Sequence, residues 1–230
     1  MNHEHLLQLD NPAWSALTSD QRAFATGTAA VKRFRRGILP FAAYDHASPE
    51  KILALDEWLL PDEVFFLIGG LPPLPPHWEV IKELPCLQMV LPELLDIATD
   101  TSILPLTAAD KDDMFNLINK VQPGYYQPDT HLLGNYFGIR QEGALVAIAG
   151  ERMRPEGLME ISAICTDPAY TGRGYARQLT AHVCRSNLKK GRTPYLHVLQ
   201  SNQRAIGIYA YLGFKARRMI SFWKLKKRIA

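Results

Sequence analysis

No stretch of this sequence stays apolar over the roughly 18 residues that a membrane-spanning helix needs, so no membrane partner is expected. Cysteine is scarce. Cys86, Cys165 and Cys184 are too few and too scattered for a disulfide framework or a zinc site, and no metal is expected. The opening residues, MNHEHLLQLDNPAW, carry acids early and lack a cleavable apolar stretch, which is unlike a secretory signal. These absences together predict a soluble protein of a reducing cytoplasm. Acidic residues are missing over the final part of the chain: from Pro168 onward there is none, against 14 Lys and Arg. What is present is ordinary for a globular protein, with 47% hydrophobic and 21% charged residues, which argues against disorder.

The charge is unevenly divided. Residues 1–100 hold 7 Lys and Arg against 14 Asp and Glu, whereas residues 101–230 hold 19 against 9. A basic field of this kind attracts a polyanion: a nucleic acid, an acidic membrane surface or a phosphorylated cofactor. Charge alone does not choose among them, and a plain solubilising face produces the same count.

Two regions follow from the pattern. Residues 1–100 read as an α/β region: a helical stretch near Trp14–Ala30, strands at 41–45 and 64–70, and a helix over SPEKILALDEWL between them. The proline cluster LPPLPPHW reads as a rigid connector, and EVIKELPCLQMVL ends at a break near Pro92. No motif in this region carries recognisable chemistry. Residues 101–230 read as β-α-β-β-β-α-β-α-β: ILPLT, a helix capped by Thr107, a hairpin around Gln141-Glu142-Gly143, the strand LMEISAICT, a helix after Gly174, the strand PYLHVLQ, a helix after Asn202, and a last strand. The fold class is α/β (α+β), a mixed sheet flanked by helices.

The strongest local feature is Thr171-Gly172-Arg173-Gly174-Tyr175-Ala176, between a strand and a helix. Glycines let backbone approach an anion closely, and unsatisfied N–H groups at a helix start point toward it. A pyrophosphate suits such a turn, with Arg173 or Arg177 adding charge. A P-loop would need Gly-Lys-Ser/Thr, which is absent. A dinucleotide fingerprint needs a third small residue and a later acid, but position 177 is Arg and no acid follows.

ISAICTDPAYTGRGYARQLT resembles the cofactor-binding motif of the GCN5-related N-acetyltransferase (GNAT) superfamily: a strand, a Pro, then Arg/Gln-x-x-Gly-x-Gly/Ala at a helix start. Gly174 and Ala176 take the small positions, and Thr171 departs from the usual Arg or Gln. Asn202, Ala205 and the run Ile208-Tyr209-Ala210-Tyr211-Leu212-Gly213-Phe214 resemble the second half of the pattern. The resemblance covers residues 101–230, and the run GERM followed by EISAICT is most similar to the glycine N-acyltransferase-like branch. It implies a mostly antiparallel sheet and a catalytic domain over 101–230. Residues 1–100 would then be a degenerate GNAT-like half or a cap on the acceptor site.

The same resemblance implies acetyl-CoA, or another acyl-CoA, as co-substrate. Ile164, Cys165, Thr166, Thr171, Gly172, Arg173, Gly174, Tyr175, Ala176, Arg177, Asn202 and Tyr209 would hold it. The acceptor would be a small-molecule or peptide amine. Such an amine is protonated at neutral pH, so a base must take its proton before attack. Glu160, 14 residues before Gly174, is expected in that role with its pKa raised by burial, the alternative being an edge carboxylate or a structural partner for an arginine such as Arg152; Glu151 is the second choice. Regular alternation would put Glu160, Ser162, Ile164 and Thr166 on one strand face and Cys165 on the other. Tyr209 stands where the family places a tyrosine beside the thiol sulfur and is expected as general acid. Tyr125, Tyr126 and Asp129 of the loop PGYYQPDTH could contact the acceptor, while His182, His197, Cys165 and Cys184 read as structural.

Two other readings compete. A catalytically silent acyl-CoA-binding module would be favoured if Glu160 pointed away from the thioester. A nucleic-acid-binding protein explains only the charge, lacks the aromatic interleaving of such proteins, and is not expected. The acidity of the first region, at Glu57, Asp62 and Glu63, would suit a cationic acceptor.

Overall fold

The computed structural model describes residues 3–95, 97 and 100–228. Short helices α1 (His3–Leu6) and α2 (Pro12–Thr18) open the chain. A three-stranded antiparallel sheet follows, built from β1 (Ala25–Gly27), β2 (Val31–Phe34) and β3 (Ala42–Tyr44). The helix expected over Trp14–Ala30 therefore stops at Thr18, and Ala25–Gly27 joins a sheet instead. SPEKILALDEWL forms a 3-10 helix over Pro49–Trp58.

Next come β4 (Val64–Ile68) and β5 (Trp78–Val90), separated by the proline connector. The remainder is β6 (Leu104–Leu106), α3 (Lys111–Val121), β7 (Tyr136–Gln141), β8 (Ala144–Glu151), β9 (Leu158–Thr166), α4 (Tyr175–Lys189), β10 (Thr193–Leu199), α5 (Gln203–Tyr211) and β11 (Lys215–Lys227). This is the expected order for residues 101–230.

The main sheet has eight strands in the order β4-β11-β5-β10-β9-β8-β7-β6. All neighbours are antiparallel except β9 and β10. β5, from the first hundred residues, lies between β10 and β11, so the compositional boundary near residue 100 does not interrupt the sheet.

Each face has its own helices. Along α4, Tyr175, Leu179 and Val183 recur at four-residue spacing and pack with Met159, Ile161 and Leu196 on one face. Helix α3 packs Met114, Leu117 and Ile118 with Ile148 and Cys165 on the other.

Thr107 precedes a 3-10 turn (Ala108–Asp110) that runs into α3. Its hydroxyl accepts from the Ala109 N–H while the Asp110 carboxylate returns to the Thr107 N–H, a capping box. Thr107→Ala is expected to cost about 1 kcal/mol, read as a shift of the urea midpoint with unchanged slope.

Two features open the sheet. The parallel pairing of β9 with β10 runs only from Leu158↔Thr193 to Glu160↔Tyr195, although both strands continue beyond it. Beyond that point the two strands part. In addition, β9 carries one extra residue against β8: Ile148↔Cys165 is followed by Gly150↔Ser162. Ala163 takes a left-handed conformation (φ 52°) there, which marks a bulge.

The bulge corrects the expected alternation. Ile164 packs with Met159 and Ile161 on the α4 face, and Thr166 pairs with Ala147 of that same cluster. Cys165 lies under α3 on the opposite face, the one shared by Leu158 and Glu160. An extra residue reverses the parity of every side chain after it.

Candidate functional site

A cavity of about 1000 Å³ fills the split between β9 and β10. One end is the glycine turn. Pro168 ends the strand, and the Asp167 carboxylate accepts from the Ala169 N–H to start a 3-10 turn. Gly172 and Gly174 then adopt positive φ (83° and 76°), a conformation that strains any residue with a Cβ. Gly174 is also the N-cap of α4 and offers no side chain, so the first N–H groups of that helix have no side-chain acceptor. Arg173 stacks on Tyr170 and Arg177 on Tyr211.

Two buried polar atoms in this wall have no hydrogen-bond partner: the Thr166 hydroxyl and Arg177 Nε. Together with the open space above Gly172 they fit a phosphorylated ligand that accepts hydrogen bonds. All twelve residues expected to hold acyl-CoA line this one cavity.

α5 supplies the middle of the site. The Asn202 carbonyl oxygen accepts from the Ala205 N–H as N-cap, which fixes the helix start at the cavity wall. Tyr209 lies about two turns further along the helix and is itself buried, its ring edge-on to Phe214 at 5.9 Å. Burial pushes its phenol well above the ordinary value, so the group keeps its proton. Tyr211 is exposed and faces away from the cavity lining.

Glu160 departs from expectation. It is fully buried and does not line the cavity. Its carboxylate takes a bidentate pair of bonds from Arg152, Nε at 2.8 Å and Nη2 at 2.6 Å, and a third from His197 Nδ1 at 2.7 Å. Burial pushes the carboxyl upward, but the Arg152 charge, its hydrogen bonds and those of His197 outweigh it and hold the pKa at about 2. A carboxylate so stabilised is too weak a base to take a proton from an amine at neutral pH. Glu160 is therefore not placed to act as the base; its carboxylate ties Arg152 to His197.

Glu151 is no substitute. Its oxygens accept from the Asn135 backbone and side-chain amides and from Asn187 on α4, and it too lies outside the lining.

His197 lines the cavity, but its hydrogen bonds leave it no free lone pair. The Gln88 carbonyl oxygen accepts from Arg217 Nη1 at 2.7 Å, which orients the amide. Gln88 Nε2 then donates to the Leu9 carbonyl and to His197 Nε2 at 2.9 Å. With Nε2 accepting and Nδ1–H donating to Glu160, both ring nitrogens are engaged.

The far end of the cavity is walled by Leu84, Cys86 and Phe222, by Ile118 and Val121 of α3, and by Tyr125 and Tyr126. Asp129 does not reach the cavity. Glu57, Asp62 and Glu63 are also outside it, and Glu63 is paired with Arg33 and Arg36. The expectation that these acids attract a cationic acceptor is not supported by their positions.

Comparisons with known proteins bear on the family and the fold. The FR47-like protein family model matches residues 136–223, from β7 into β11. A solved protein of Novosphingobium aromaticivorans DSM 12444, assigned as an acetyltransferase of the GNAT family, is 33% identical, with a TM-score of 0.88 over 96% of this chain and 99% of that one. The chain belongs to the GNAT superfamily. A GNAT from Kribbella flavida shares the fold at 15% identity, with a TM-score of 0.61 over 94% of this chain and 96% of its own. The curated N-alpha-acetyltransferase RimI of Mycobacterium tuberculosis (strain ATCC 25618 / H37Rv) is 36% identical over 84 residues, 35% of this chain. That match spans about half (52%) of the relative's length.

Several residues of this GNAT cavity escaped the sequence reading: Leu84, Cys86, Tyr170, Arg204 and Phe222. Leu84, Cys86 and Phe222 sit on β5 and β11, whose adjacency no local pattern announces. His197 meets Glu160 because it lies two residues beyond the Tyr195↔Glu160 pair, a register set by tertiary contact alone.

Proposed function

We propose that this GNAT is an acyl-CoA-dependent N-acyltransferase, most simply an N-acetyltransferase, acting on a primary amine by direct attack. The observation that carries the reading is the single cavity joining the α4 N-terminus to Tyr209. The start of α4, Thr166, Arg173 and Arg177 would take the pyrophosphate, and Asn202 and Tyr209 the thioester end. The bound acyl-CoA supplies the activated acyl group. Beyond Glu160, β9 stays paired with β8 but has lost its β10 neighbour, so those peptide groups between Ile161 and Thr166 that face away from β8 can polarise the carbonyl. Tyr209 gives the departing thiolate its proton. Among the described residues no Asp or Glu lines the cavity, so the acceptor amine loses its proton to water rather than to a carboxylate.

The run from Gly150 to Thr166 supports the glycine N-acyltransferase-like branch. The position of β5, Cys86 and Leu84 supports the first hundred residues as a cap that shapes the acceptor end. Three free, buried cysteines support a reducing, cytoplasmic compartment, and no helix among the described residues is long and apolar enough to cross a membrane.

The test is calorimetric titration with acetyl-CoA, wild type beside Gly174→Trp. Micromolar binding is expected for the wild type. The substitution, which strains the φ of 76° and fills the cradle, is expected to weaken it by at least 100-fold. Equal binding by both proteins, or none by either, overturns the reading. A silent module would bind equally well yet release no CoA when amines are added.

A further inference from the structure

Four arginines line the cavity: Arg152, Arg173, Arg177 and Arg204. Three of them belong to the turn and helices at the acyl-CoA end. Arg152 stands apart, beside Tyr125, His197 and Phe222 at the acceptor end, where its positive charge has no part in holding phosphates.

Arg152 is unusually well fixed for a long, flexible side chain. Its guanidinium lies 5.0 Å from the ring centre of Phe41 and 5.9 Å from that of Phe222. Nε and Nη2 are both spent on Glu160, which grips the group along its side. A guanidinium carries five N–H donors, and this pairing uses two. Nη1 bonds to nothing among the described residues, yet it is not among the buried polar atoms that lack a partner, so it has open surface. The end-on fork, Nη1 with the second hydrogen of Nη2, is free, and the residue lines the cavity.

The fork has the geometry of a carboxylate receptor. We propose that Arg152 determines acceptor specificity in this enzyme, and that the acceptor is a primary amine bearing a carboxylate, of the amino-acid class, bound end-on to Arg152. The proposal rests on the acyltransferase reading above. Cations are excluded by the same wall: a polyamine would meet Arg152 with no carboxylate in the lining to offset it. Leu84, Ile118, Val121, Tyr125 and Phe222 give the body of the acceptor an apolar surround, which suits a side chain larger than hydrogen. Glu160 acts through Arg152, orienting the fork without touching the acceptor.

The experiment compares acetylation of L-phenylalanine, its uncharged amide, and a diamine by the wild-type protein at alkaline pH, with acetyl-CoA binding measured in parallel. A kcat/KM for the acid at least 30-fold above that for the amide, carried mainly by KM, is the expected result. The double variant Arg152→Gln/Glu160→Gln removes both buried charges together. It is expected to bind acetyl-CoA like the wild type and to lose the preference for the acid. Acetyl-CoA binding with equal use of acid and amide, or with the diamine preferred, overturns the carboxylate proposal and leaves the acyltransferase reading standing. Loss of acetyl-CoA binding by the wild type overturns both. If the double variant does not fold, the wild-type comparison of acid with amide decides alone.

Discussion

Arg152→Met is expected to cost the fold about 3–5 kcal/mol at neutral pH and distinctly less in acid. Methionine fills much of the space between Phe41 and Phe222, so the loss is chiefly electrostatic: the Glu160 carboxylate is left fully buried with no cation paired to it as Arg152 was, and with only His197 and the Met153 backbone N–H as donors. In the native protein the Glu160 pKa falls from 4.5 to about 2, which corresponds to roughly 3 kcal/mol of pH-dependent stability. Because the folded value lies below the unfolded one, that stability is complete above about pH 4.5 and drains away as the pH falls toward 2. In the variant the sign reverses. Burial without Arg152 raises the carboxyl, so acid relieves the strain by protonating it. The gap between the two proteins should therefore close from both sides on acidification. Urea unfolding of both at pH 7 and pH 4 checks this; a gap independent of pH would mean that Arg152 contributes by packing alone.

Tyr209→Phe is expected to lower kcat by roughly 10²–10³-fold, the range of general acid catalysis, while acetyl-CoA affinity stays within about threefold. The leaving thiolate has a pKa near 8.5, so its departure gains from a proton delivered at the moment the C–S bond breaks. Burial keeps the phenol protonated. The sign for an acid so raised is that its proton stays on until the pH passes beyond the ordinary value of 10, so rates near neutrality should show no falling limb from this group. Phenylalanine retains the edge contact with Phe214 and removes only the hydroxyl. Single-turnover rates beside calorimetry separate the two roles: an unchanged rate would reduce Tyr209 to a packing residue.

What the sequence disclosed was local. The turn at Glu142-Gly143, the glycines at 172 and 174, the Thr107 cap and the helix that begins after Asn202 each follow from residues within a few positions, and all lie where the pattern put them. The twelve cofactor-side residues converge for the same reason, since they belong to two strand-to-helix junctions. The acceptor side was illegible. Ala163 adopts φ 52° without being a glycine, so nothing in the sequence marks the bulge that reverses the strand's parity and moves Ile164 and Thr166 away from Glu160's face. Arg152 is a partner the sequence allows for Glu160, but spacing does not show that His197 joins them. An isolated buried carboxylate has its pKa raised, as the sequence led us to expect, and it took two donors from separate elements to reverse the sign.

The place of β5 in the sheet bears on how the chain is made. It hydrogen-bonds to β11 from Trp78↔Lys227 to Val90↔Lys215 and to β10 from Cys86 onward. Both partners leave the ribosome after more than a hundred further residues have been synthesised, since elongation runs from the N-terminus. Throughout that interval the strand's N–H and C=O groups await neighbours that do not yet exist. Contacts so distant in sequence carry a large loop-closure cost and slow the final step. During synthesis the sheet therefore cannot be complete before β11 emerges, and a nascent chain halted before Lys215 would display the β11-facing edge of β5 to chaperones and to other nascent copies.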